Sequence, residues 1–118
     1  MAIKPTLSIR IDIGEHRLGP GKAAVLRAIN KTGSISAAAR SLNMSYRRVW
    51  GLVDEMNSLT AERLVETETG GARHGGSSLT ARGEEVLALY EAVTQNAAEG
   101  ARKPLARIGR LVVKRAGA

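Results

Sequence analysis

The sequence predicts a mainly α chain with one small β-hairpin, an α+β fold, and three observations carry that prediction. Apolar residues recur at helical spacing in residues 22–30, 45–58 and 81–97. Two short strand-like stretches, around Val65 and Leu79, flank a glycine-rich run at 70–77. Ahead of that hairpin, residues 36–60 carry the pattern of two helices joined by a tight turn.

In chain order, Leu7, Ile9, Ile11 and Ile13 alternate with Ser8, Arg10 and Asp12, the period of a half-buried strand, and Gly14 ends it. Gly19, Pro20 and Gly21 break the chain before the first helix. Val25, Leu26 and Ile29 form the apolar side of that helix, and Thr32 and Gly33 stop it. The Gly-Pro-Gly-Lys run at 19–22 does not make a phosphate-binding loop. It lacks both the upstream glycine and the Ser or Thr after the lysine that cradle phosphate and hold magnesium.

Ser36 is read as the N-cap of a short helix through Ala37, Ala38, Ala39, Arg40 and Ser41, whose small side chains admit a close neighbour. Leu42 closes its apolar side, and Asn43 and Met44 suit a turn, Asn because it tolerates unusual backbone angles. Ser45 caps the second helix, read as 45–58. At 100° per residue, Val49, Leu52, Val53 and Met56 share one arc and face a core. Arg47, Gly51, Asp54 and Ser58 fall opposite, with Arg48 and Trp50 at the boundary. Cations therefore open the exposed face, and a glycine one turn later removes bulk. The first turn is the wrong end of the helix dipole for arginines, so helix stability does not ask for them. The layout suits a helix entering the DNA major groove N-terminus first. A merely solvated face carrying two arginines is the alternative, and the residues alone leave both open.

Residues 64–69 and 78–80 make the strands of the hairpin, a candidate wing. A tip carrying Arg73 can lie along phosphates or reach into a minor groove. His74 has only His16 as a fellow imidazole and no carboxylate or thiol cluster beside it, so no metal site is expected. Thr80 is the N-cap of a long helix with Glu84 one turn in. Its stripe of Val86, Leu87, Tyr90, Val93 and Ala97 must be buried on the chain's own body or on a second subunit. Gly100 and Pro104 interrupt it, after which Leu105, Ile108, Leu111 and Val112 repeat among basic residues. An amphipathic helix, an extra DNA arm and a disordered end all fit that tail, a frayed terminus most simply. The expected divisions are 1–18 (N-terminal strand and linker), 19–80 (helix-turn-helix with wing), 81–100 (long C-terminal helix) and 101–118 (basic tail).

Composition bounds the function. The 118 residues are 43% hydrophobic, with Trp50, Tyr46 and Tyr90 the only aromatics and no Phe, so the core is aliphatic and small. The absence of cysteine excludes disulfides and thiolate metal sites. There is no apolar run of membrane-spanning length and no signal-peptide h-region, so a cytoplasmic protein with no membrane partner is the default expectation. Of the net charge of +7, residues 101–118 supply +6 through Arg102, Lys103, Arg107, Arg110, Lys114 and Arg115 without an acid. Nucleic-acid binding by the body must therefore rest on local layout and not on the global sum. No nucleophile–base pair, carboxylate pair in a cleft or cofactor loop argues for an enzyme, and no cofactor is expected.

Several short strings then occur together in order: Thr32-Gly33-Ser34-Ile35-Ser36, Ala38-Ala39, Ser45-Tyr46-Arg47, Trp50, Glu55-Met56-Asn57, Leu64-Val65-Glu66, Thr69-Gly70-Gly71, Gly75-Gly76 and Leu79-Thr80-Ala81-Arg82-Gly83. Over residues 20–93 they resemble the N-terminal winged helix-turn-helix of the molybdate-dependent transcriptional regulators of the ModE type, and more loosely LysR-type DNA-binding domains. The resemblance implies a winged helix-turn-helix with a C-terminal dimerisation helix, acting as a homodimer on double-stranded DNA. Residues 45–58 would be the recognition helix and 70–77 the wing. Full-length members also carry an oxyanion-sensing module of small β-barrels, whereas this chain continues into a basic segment past position 100. Molybdate binding is therefore not expected of it, and it reads as a stand-alone DNA-binding half or a shortened chain.

On this reading Arg47 reaches a base edge, Arg48 and Tyr46 hold phosphates, and Trp50 braces the helix against the wing. Ser34, Ser36 and Ser45 offer hydroxyls and helix amides to phosphate, and Arg73 with His74 forms the wing contact. Asp54 and Glu55 would be repelled by DNA, which limits entry to the first two turns. Val86, Leu87, Tyr90 and Val93 are the expected dimer contact. A winged-helix protein-interaction module without its own operator is the second expectation.

Overall fold

The computed structural model describes residues 4–68 and 76–112. Among these, β1 (Ile11–Ile13) and β2 (His16–Leu18) precede α1 (Pro20–Thr32), α2 (Ile35–Ser41) and α3 (Tyr46–Asn57). Then come β3 (Val65–Thr67), β4 (Ser77–Leu79), α4 (Ala81–Gly100) and α5 (Arg102–Leu111).

α1 is the hub, touching α2, α3, α4 and β4. Gly19 is its N-cap and Pro20 opens it, at a position where the missing N–H would have had no helical partner anyway. It stops at Gly33, whose φ of 78° lies in the left-handed region that glycine adopts without penalty, and whose N–H bonds the Ile29 carbonyl at 2.8 Å. Val25, Leu26 and Ile29 are fully buried, together with Val49, Val53 and Met56 of α3 and Leu64 and Val65. Ala38 and Ala39 of α2 are buried too, and their small size lets α2 lie close to α1. Asn43 makes the α2–α3 turn with φ 55°, as its residue type suggests.

β3 and β4 pair antiparallel, Val65 opposite Leu79 and Thr67 opposite Ser77. The hairpin is tied to the helices at both strands. Ser77 N–H donates to the Gly33 carbonyl at 2.8 Å. The Asn57 side chain, at the end of α3, accepts from the N–H groups of Leu64 and Val65 at 2.9 and 3.0 Å and donates to the Val65 carbonyl at 3.3 Å. Thr80 caps α4, its hydroxyl oxygen accepting from Gly83 N–H at 3.0 Å.

Four expectations change. The cap of α2 is Ser34, whose hydroxyl accepts from Ala37 N–H, while Ser36 lies inside the helix; Ser34 holds the extended angles (φ −153°, ψ 151°) that a cap needs. The strand read over residues 7–13 covers only Ile11–Ile13, and Gly14 turns the chain at φ 58° into a second strand, so the element is a β1–β2 hairpin instead of a lone strand. Residues 102–111 form a helix and not a frayed end; Pro104 falls in its first turn, where no helical N–H bond is lost. The stripe expected at a dimer contact divides. Leu87 and Tyr90 (5% exposed) join the chain's own core, with Val86 packed beside them, and the Tyr90 hydroxyl donates to the Ile9 carbonyl at 2.6 Å. Val93 (42%) stands outside, one turn along α4 from the exposed Leu89 (59%).

Candidate nucleic-acid interface

α3 begins where Ser45, extended at ψ 150°, accepts from Arg48 N–H at 3.1 Å. Its burial follows the wheel: Val49, Val53 and Met56 are wholly covered, Leu52 is half-buried, and Arg47, Gly51, Asp54 and Ser58 are exposed. Arg48 is exposed as well. Trp50 is half-buried against the core, and the half-exposed Tyr46 meets it edge-on, with ring centroids 6.3 Å apart and planes at 77°. That contact seats Tyr46, in the first turn of α3, against a residue packed on the core.

Several surface cations of the body have carboxylate partners. Arg10 and Arg17 pair with Asp12, Arg27 with Glu91, and Arg82 with Glu62 and Glu85. Among the described residues Arg47 and Arg48 have none. α3 has no acid in its first turn, so two guanidiniums sit unneutralised at the positive end of the helix dipole, where each costs a few tenths of a kcal/mol to about 1 kcal/mol. Such a site favours an anion. The hydroxyls of Ser34 and Ser45 accept from helix amides, which leaves each hydroxyl proton to donate to an incoming oxygen. Ser36 is exposed one turn before Arg40 on the same side of α2.

Two features escaped the sequence reading. Arg40 is exposed and has no carboxylate partner among the described residues; its i, i+4 spacing from Ser36 was the available signal. Lys22 of α1 pairs with Glu55 at 3.2 Å and donates to the Arg17 carbonyl at 2.7 Å, so the carboxylate expected to repel DNA is partly neutralised from a neighbouring helix. Nothing in the spacing of residues 33 positions apart announced that pair. Arg73 and His74, the expected wing contacts, lie outside the described residues. Among the described residues no group of three or more metal-ligating side chains occurs, and no helix is long and apolar enough to cross a membrane.

A capped, exposed second helix set across a tight turn from the first, with an antiparallel hairpin anchored beside it, defines a winged helix-turn-helix domain. The chain belongs to the lysR family of bacterial regulatory helix-turn-helix proteins, whose family model matches residues 22–84. It is 43% identical over 83 residues to the molybdenum-pterin-binding protein MopB of Rhodobacter capsulatus, covering 70% of this chain and 31% of that protein. It is 43% identical over 72 residues to the transcriptional regulator ModE of Yersinia pestis (61% of this chain, 27% of the relative). With the DNA-binding transcriptional dual regulator ModE of Escherichia coli K12 it shares 38% identity over 76 residues (64% and 29%). The chain thus spans less than a third of the length of each of these relatives.

Proposed function

We propose that the chain is a sequence-specific DNA-binding transcriptional regulator acting as a homodimer, with α3 in the major groove and the wing, residues 70–77, on the backbone or in the minor groove. The observation that carries this reading is the pair of exposed arginines opening α3, which have no carboxylate partner among the described residues. Of the two arginines Arg47 lies nearer the centre of the outward face and is assigned to a base edge, since a guanidinium pairs with guanine O6 and N7 through two hydrogen bonds. Arg48, Tyr46 and the serine hydroxyls of Ser34, Ser36 and Ser45 hold phosphates, and Trp50 supports Tyr46 from below. Arg73 and His74 contribute from the wing, on the strength of the sequence alone. DNA is the partner, and the chain needs no cofactor and catalyses no reaction.

The dimer contact is assigned to the outer face of α4, around Leu89 and Val93, because Leu87 and Tyr90 are already covered by the chain itself. A twofold pair of recognition helices would read a palindromic site. Selection of bound duplexes from a randomised library tests this: a two-fold motif supports it, and recovery of unselected sequence contradicts it.

A further inference from the structure

We propose that Gly51 is the point of closest approach between α3 and DNA, and that the space left by its missing side chain receives the 5-methyl group of a thymine. This rests on the DNA-binding reading and adds a base preference to it.

Gly51 lies opposite the arc of Val49, Val53 and Met56, at the outermost part of the helix and between Arg47 and Arg48 around the axis. Among the described residues nothing requires glycine there. A Cβ built on Gly51 would meet no atom within 4 Å, and its φ is not in the left-handed region. Gly33 is different, because its backbone has a positive φ, and so is Gly83, because a neighbouring carbonyl occupies the space of a side chain. A glycine in mid-helix lowers stability relative to alanine, yet here it serves neither backbone nor packing. Gly21 and Gly100 are equally open but lie at helix ends, whereas the mid-helix glycine on the cationic face of α3 leaves room for a body outside the chain to come within the radius of a methyl group.

The chemistry of the spot limits what that body presents. Gly51 floors a shallow notch walled by Ser45, Arg47, Arg48, Leu52 and Glu55. The floor offers only a glycine CH₂ and a backbone whose amides are committed to the helix. Phosphates and polar base edges find their donors on the walls, at Arg47, Arg48 and Ser45, whereas a polar atom pressed onto the floor itself would give up water without gaining a partner. The major groove has one apolar projection, the C5-methyl of thymine. Seated over Gly51, it leaves the neighbouring Arg47 to reach the next base pair.

The test exchanges methyl groups across the contact. The duplex selected by the wild-type chain is remade with uracil, which lacks only the methyl, at one thymine position at a time. At one thymine per half-site uracil weakens wild-type binding about fivefold. Gly51→Ala raises the thermal midpoint by about 4 °C, binds the thymine duplex about tenfold more weakly, and recovers most of that loss on the uracil duplex. Equal affinity of Gly51→Ala and wild type for the thymine duplex overturns the proposal, and so does an equal loss on thymine and uracil duplexes. Absence of any selected sequence for the wild-type chain sinks the DNA-binding reading and this one with it; selective binding that ignores the methyl sinks this one alone.

Discussion

Gly83 lies directly under the carbonyl of Leu64: a Cβ at Gly83 would stand 2.1 Å from that oxygen and 3.0 Å from its carbon. The same carbonyl accepts from Thr80 N–H at 3.0 Å, so the start of α4 is held against the strand entering the wing. Both obstructing atoms are backbone and cannot turn aside. Gly83→Ala should therefore push α4 off the hairpin and cost about 3 kcal/mol, read as a lowered denaturant midpoint. A midpoint equal to that of wild type would show that the α4–wing junction yields freely.

Asn57 makes the matching junction between α3 and β3. Leu64 and Val65 are fully buried, and Asn57 Oδ1 is the acceptor for both of their N–H groups. Asn57→Ala strands two buried donors, at about 1–3 kcal/mol for an unsatisfied group. Asn57→Asp keeps the acceptors but turns an oxygen toward the Val65 carbonyl, so it rescues only part of the loss. Chemical denaturation of both variants gives the order wild type, Asp, Ala.

The two serines before α2 separate by role. Ser34→Ala removes the side-chain acceptor for Ala37 N–H and should cost about 1 kcal/mol. Ser36→Ala, on an exposed helical position, should leave stability within about 0.5 kcal/mol of wild type. The reverse order would return the cap to Ser36.

Leu87 and Val93, six residues apart on α4, distinguish core from partner surface. Val93→Asp should keep the wild-type circular dichroism and sediment with the mass of one chain, whereas wild type should sediment as two. Leu87→Asp should unfold the chain, because it buries an unpaired carboxylate. A folded Val93→Asp of dimeric mass would remove the outer face of α4 as the contact.

What the sequence disclosed and what it withheld follow from the range of the interactions. The two faces of α3 were legible because helical period alone assigns Val49, Val53 and Met56 inward and Arg47 and Gly51 outward. Ser45 and Thr80 were legible as caps, since each precedes a periodic run. Ser34 and Ser36 are chemically alike, and only the backbone angles at Ser34 select the cap. β2 is three residues long with Leu18 alone buried, too short for alternation to register. Pro104 reads as a breaker until its place in the first turn of α5 is known. In α4 the one apolar list joined residues of two fates: Leu87 and Tyr90 face the body, while Val93 stands exposed beside Leu89, which the list left out. The Lys22–Glu55 pair joins separate helices and depends on the packed fold.

The central claim is that Arg47 reads bases while the wing cation Arg73 holds the backbone. Titration of wild type, Arg47→Ala and Arg73→Ala against the selected duplex and a scrambled one, over a range of salt, tests it most directly. The expected result is loss of discrimination in Arg47→Ala, by about 1–3 kcal/mol on the selected duplex alone. Arg73→Ala should weaken both duplexes alike and lower the salt slope by about one. Equal, small losses on both duplexes from both substitutions would contradict the claim.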